Sequence, residues 1–267
     1  MQGCGIANRR WLALGLYLLA SNCSGRLGQP GAPARTQLVL PQLALQVTSF
    51  ELVDSSRHRS IPVTVYAPAA TGWRPPHLKL ALLNHGYGGH ATDYTFVARV
   101  LVAHGYLVAS LQHELPGDAP MPTTGAIYPA RYPFWERGVQ TMLFARAALG
   151  RRYPCLDTRH LLLLGHSNGG DMAMLLAREH PGLARRIISL DNRRVPLPRS
   201  RQLRVLTLRS SDQVADPGVL PTPGEQQRFG ITVVPLPATL HNDMWDGATE
   251  AQQQEMSTYI ARFLESR

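Results

Sequence analysis

The chain has 267 residues, 44% of them apolar, and carries 27 Lys and Arg against 18 Asp and Glu, a net charge of +9. Those values suit one globular domain with a single core and exclude a disordered chain. Lys79 is the only lysine and the arginines are scattered, with short pairs at 151–152, 185–186 and 193–194; lacking a basic run interleaved with aromatics, the chain is expected to bind no nucleic acid.

Arg9 and Arg10 precede an apolar run, Trp11 to Ala20, and small or polar residues follow as far as Gly25. This reads as a removable export signal over residues 1–23, so a periplasmic or secreted protein is expected. The run is too short to span a bilayer, and no later segment is long and apolar enough. Cys23 sits where a lipidated cysteine stands in some signals, but Ala20-Ser21-Asn22 matches that pattern poorly and lipidation is not favoured. Loss of the signal leaves Cys155 nearly alone, so no disulfide framework is expected. Residues 24–42, rich in Gly and Pro, read as a linker, and 43–267 as one domain.

Leu43 to Val53 and Ile61 to Ala67 read as two strands of a hairpin, and Gly72 to Pro76 as a turn. Strands and helices then alternate. Leu78–Leu83 and Tyr106–Leu111 are strands, with a helix between them marked by Tyr94, Val97, Ala98, Leu101 and Val102. Val139, Met142, Leu143 and Ala147 mark a second helix, ending near Gly150. The strand Leu161–Leu164 leads into a helix carrying Met172, Leu175 and Leu176. Ile187–Leu190, Val205–Leu208 and Ile231–Val234 are further strands, and Met256, Tyr259, Ile260, Phe263 and Leu264 lie along one face of a last helix. Such alternation implies a mostly parallel sheet covered on both faces, with its ligand site beyond the carboxyl ends of the strands.

Four features carry chemistry. Gly165-His166-Ser167-Asn168-Gly169 follows a strand and opens a helix, the setting of a nucleophile elbow that exposes Ser167 at a helix N-terminus. Asn84-His85-Gly86-Tyr87-Gly88-Gly89 lets backbone approach a substrate closely, so the amides of Tyr87 and Asn168 are the candidate oxyanion hole. A serine hydroxyl needs a base at neutral pH, and His241, between the last strand and the last helix, is placed for it. An acid must orient that histidine. Asp212, after the strand Val205–Leu208, is the favoured candidate, with Asp191 and Asp216 as alternatives.

These features together resemble the α/β-hydrolase superfamily over roughly residues 43–267. The segments HGYGG, GHSNGGDMA, RSSDQVADPG and LHNDM look like a bacterial esterase or dienelactone-hydrolase-like group. The resemblance implies an eight-stranded, mostly parallel sheet flanked by helices and a triad carried onto Ser167, Asp212 and His241, with no metal and no organic cofactor. Only Asn192 to Gln202 occupies the place where many members insert a lid, so no large lid is expected. The longer insertion, His113 to Trp135, is read as a pocket wall, with His113, Tyr132, Phe134 and Trp135 as candidate lining residues. Glu114 is a further candidate beside His113, and Arg193 and Arg194 are candidates to bind a substrate carboxylate or to pair with Asp191. His90 with Asp93, and His241 with Asp243, lack a third metal ligand at credible spacing. The expected reaction is hydrolysis of a small-molecule carboxylic ester. Amide, thioester or lactone cleavage, acyl transfer, and a non-catalytic binding domain on the same fold are the alternatives.

Overall fold

A computed structural model describes residues 44–69 and 78–266. The export signal, the linker, Cys23 and the turn over 72–76 lie outside the described residues. Eight strands form one sheet: β1 (Leu45–Asp54), β2 (Arg59–Pro68), β3 (Leu78–Asn84), β4 (Tyr106–Leu111), β5 (Leu156–His166), β6 (Ala184–Leu190), β7 (Arg204–Arg209) and β8 (Ile231–Pro235). Their spatial order is β1-β2-β4-β3-β5-β6-β7-β8. β1 and β2 pair as an antiparallel hairpin and β2 lies antiparallel to β4, while every pair from β4 to β8 is parallel.

The central strands are apolar at successive positions because both sheet faces are covered. In β5, Leu161 and Leu163 enter one core while Leu162 and Leu164 enter the other. The first core is closed by α2 (Ile127–Arg152) and α3 (Ser167–Glu179), through Trp135, Val139, Met142, Met172 and Leu176. The second is closed by α1 (Thr95–Ala103) and α5 (Glu250–Glu265), through Val97, Leu101, Ile260 and Leu264. The segment between β6 and β7 is short and carries no lid.

Two elements depart from expectation. The second helix begins at Ile127, so the last nine residues of the segment read as a pocket wall, Tyr132, Phe134 and Trp135 among them, are helical. Pro129 sits in the first turn, where its missing N–H costs nothing, but Pro133 lies inside the helix. Tertiary packing of Trp135 on the core outweighs that break. The second addition is α4 (Pro223–Phe229), set by a reciprocal capping box between Thr222 and Glu225 and closed by Gly230 at φ +67.

Helix α1 has no side-chain cap of its own. Asp246, distant in sequence, accepts hydrogen bonds from the Thr95 and Phe96 amides at 2.7 and 3.0 Å. This ties the loop after His241 to the start of α1. Asp246→Ala is expected to lower stability by about 1–2 kcal/mol, measured by urea denaturation, because two helix N–H groups and the dipole lose their partner.

Candidate active site

Ser167 stands at the junction of β5 and α3 with φ +48, a left-handed conformation that costs a non-glycine residue free energy and here turns the chain sharply. The glycines beside it are sterically required. A Cβ on Gly165 would collide with the Gly169 carbonyl, and one on Gly169 would collide with the Asn84 carbonyl. The elbow is thereby pressed against the end of β3, from which Gly86, Tyr87 and Gly88 continue.

His241 begins a single 3-10 turn, His241–Asp243. Its Nε2 is 2.8 Å from Ser167 Oγ, so the hydroxyl donates to the ring, and its Nδ1–H donates to Asp191 Oδ2 at 2.6 Å. The acid at the imidazole is therefore Asp191, and the expectation of Asp212 is corrected. Asp191 follows β6 with φ +59, which swings its carboxylate across the ends of the strands. Its N–H bonds to the Leu208 carbonyl, and the Ser210 hydroxyl and amide both donate to its carboxylate, at 2.6 and 3.2 Å. Because β7 runs beside it as far as Arg209, residue 210 is level with the triad and residue 212 lies beyond it. Asp212 still serves the histidine, by accepting the His241 backbone N–H at 2.7 Å. Asp216 is ion-paired with Arg194 at the surface side of this loop.

Asp191 is fully buried. Burial alone pushes its carboxyl up, but the bond from His241, the charge of Arg209 and the Ser210 hydroxyl together hold it below the usual range. Arg209 Nη2 lies 2.7 Å from Asp191 Oδ1, and Nη1 donates to the Asn192 carbonyl at 2.7 Å. One turn into α3, buried Asp171 accepts from the Arg194 and Val195 amides at 2.9 and 2.8 Å and from Asn192 Nδ2 at 3.2 Å. Burial pushes its carboxyl up to about 6 in spite of those donors. Helix α3 and the loop after β6 are thus fastened to each other.

A second chain of bonds joins the other loops. His166 Nε2–H donates to the His241 carbonyl at 3.0 Å, which leaves Nδ1 to accept from the Tyr94 hydroxyl at 2.9 Å. That hydroxyl accepts the Gly86 N–H at 3.0 Å. Tyr94 and His166 therefore fix the glycine loop, the elbow and the histidine turn relative to one another. Burial holds His166 down at about 3.

The four residues expected to line a pocket do otherwise. Trp135 is buried in the core, stacked edge-on against Tyr128, and its Nε1–H donates to Asn168 Oδ1 at 2.8 Å, steadying the residue after Ser167. His113 is buried, with its Nε2–H on Asn84 Oδ1 at 2.8 Å and its backbone N–H on His85 Nε2 at 2.9 Å. Tyr132 donates to Glu179 on the outside of α2 and α3, and Phe134 lies under the Arg137 guanidinium. Glu114 backs the glycine loop, accepting the Gly88 N–H at 3.3 Å, and burial pushes it up to about 7. A cavity of about 370 Å³ is bounded instead by Tyr87, Tyr94, His166, Asn242 and Trp245, among them the residue before Ser167 and the residue after His241. Trp245 escaped sequence reasoning. Its position four residues after His241, in a loop, was the available signal. Among the described residues no three His, Cys, Asp or Glu side chains gather as a metal site.

Asp191→Asn is expected to lower kcat by about ten-thousandfold with the fold intact, as the imidazole loses its tautomer; Asp212→Asn, which disturbs only a backbone anchor, is expected to cost far less. Steady-state kinetics on both variants checks this. Stability should also follow pH. His85, His113 and His166 are all pushed below the ordinary histidine value by burial. Below about pH 6.5 the unfolded chain binds protons that the folded chain refuses, so stability falls as pH drops. A Tm series from pH 8 to 5 should show this fall, with a shallower slope in His166→Gln.

No family model matches the chain. A curated relative, "Putative esterase NocK" of Nocardia uniformis subsp. tsuyamanensis, is 29% identical over 198 residues, 66% of this chain. The chain spans about half of that relative's length, since 54% of it is covered. Among solved structures, a ferulic acid esterase from Streptomyces cinnamoneus aligns with a TM-score of 0.63 at 17% identity, over 84% of this chain and 90% of the other. A dienelactone hydrolase-like promiscuous phosphotriesterase, P91, from metagenomic libraries aligns at 0.58 and 17%, over 83% and 98%. A bacterial heroin esterase aligns at 0.55 and 16%, over 85% and 88%. In strand order, elbow geometry and structural neighbours alike, the chain has the α/β-hydrolase fold.

Proposed function

We propose that this protein is a serine hydrolase that cleaves carboxylic esters through an acyl-enzyme. The observation that carries the reading is the continuous line from Ser167 Oγ through the His241 ring to the buried Asp191 carboxylate, with bonds of 2.8 and 2.6 Å.

Ser167 attacks the ester carbonyl as His241 Nε2 takes its proton. Asp191 holds the tautomer and stabilises the imidazolium. The tetrahedral oxyanion is received by the amides of Tyr87 and Asn168; the latter lies in the first turn of α3, whose N–H groups lack helical acceptors. His241 returns the proton to the leaving alcohol, and water then cleaves the acyl-enzyme by the same steps in reverse roles. The names of the curated relative and of the fold neighbours favour an ester over other acyl bonds.

A fluorophosphonate probe is expected to label the wild-type protein at Ser167 and leave Ser167→Ala unlabelled. p-Nitrophenyl butyrate turnover should vanish with the same substitution. Labelling that persists in Ser167→Ala removes the assignment.

A further inference from the structure

We propose that the cavity between Tyr87 and Trp245 is the subsite for the alcohol part of the ester, and that it takes a flat apolar group such as an aromatic ring. The inference rests on the hydrolase reading and adds the substrate class. Its location follows from chain connectivity. His166 precedes the nucleophile, Asn242 follows the base, and Tyr87 is the loop residue whose amide is assigned to the oxyanion; all three border the cavity. The base must return its proton to the leaving oxygen, so the alcohol lies on the histidine side of the carbonyl. Asn242 and Trp245 supply that side.

The chemistry of the walls selects the group. Tyr87 and Trp245 are 47% and 42% exposed, although large aromatic side chains are normally well covered. Both border this one concave surface, where exposed rings mark a binding site better than scattered ones do. Neither wall must be ordered when a ligand arrives. The Tyr87 hydroxyl accepts the Met121 N–H at 3.1 Å. The Trp245 ring lies against the backbone of Gly247, where any Cβ would collide with it. Asp246, next to it, is held both by the α1 amides and through its own N–H on the Asp93 carbonyl at 2.8 Å. A preorganised slot of this kind loses little entropy on binding.

The floor offers no charge to a ligand. His166 is neutral, and the Tyr94 hydroxyl is already bonded to Gly86 and His166. The Asp93 carboxylate at the edge accepts the His90 N–H at 2.7 Å and repels anions. At about 370 Å³ the space matches the lower end of small-molecule pockets.

The test uses two ester series on the wild-type protein, Trp245→Ala and Trp245→Phe. In the first the alcohol varies, as ethyl, cyclohexylmethyl and benzyl acetates. In the second the acyl group varies, as ethyl acetate and ethyl benzoate. The wild type is expected to favour benzyl over ethyl acetate in kcat/KM by about tenfold or more. Trp245→Ala should lose that preference, its kcat/KM falling about tenfold further on benzyl than on ethyl acetate, while Trp245→Phe retains most of it. A preference that survives in Trp245→Ala, or a loss confined to the acyl series, overturns the proposal while the hydrolase reading stands. A readout independent of turnover is benzyl alcohol binding to Ser167→Ala by saturation-transfer NMR. Binding there, abolished on adding Trp245→Ala, supports the subsite even without ester turnover; no binding in Ser167→Ala overturns it.

Discussion

The close approach of two backbones, where the elbow after β5 presses on the end of β3, is the constraint from which the rest of the site follows. Gly169 meets the Asn84 carbonyl with no room for a side chain, and Gly165 meets Gly169 in the same way. This contact brings the loop that begins at Gly86 up to the turn at Ser167. It also brings His166 within reach of Tyr94. Gly86 shares the restriction, since a Cβ there would sit 2.9 Å from His166 Nδ1. The strained φ of Ser167 survives because these contacts leave the chain no other path.

Electrostatically the site separates two kinds of buried polar group. His85, His113 and His166 are kept neutral by desolvation and used as hydrogen-bonding spacers. Asp191 is equally buried but surrounded by donors and by Arg209, and it stays ionised. A charge that costs so much to bury is worth keeping only where it acts, and it acts on His241. Asp171 shows the opposite balance: three neutral donors do not offset its burial.

Much of this was legible in the sequence. Strand runs, helix periodicity and the glycine spacing around Ser167 gave the sheet, its layers and the serine–histidine pair, because burial on both faces and steric exclusion of side chains leave direct marks on residue type. The acid was not legible in that way. Asp191 and Asp212 both follow a parallel strand, and the choice between them depends on a backbone torsion at residue 191 and on how far β7 extends beside β6. Neither property has a composition of its own. The pocket residues failed for a related reason. A run with Pro129 and Pro133 reads as loop, yet packing of Trp135 draws it into α2, which turns its aromatics toward the core or the outer surface.

The histidine turn is gripped at three points. Asp191 holds the ring, Asp212 the amide and His166 the carbonyl of His241. In many enzymes part of the binding energy is consumed in bringing such a loop to order. Here that ordering is completed during folding, and its entropic cost falls on the stability of the protein rather than on each encounter with substrate. The His241 turn is thus a rigid template, and any adaptation to a ligand is left to the rim of the cavity, at Tyr87 and Trp245.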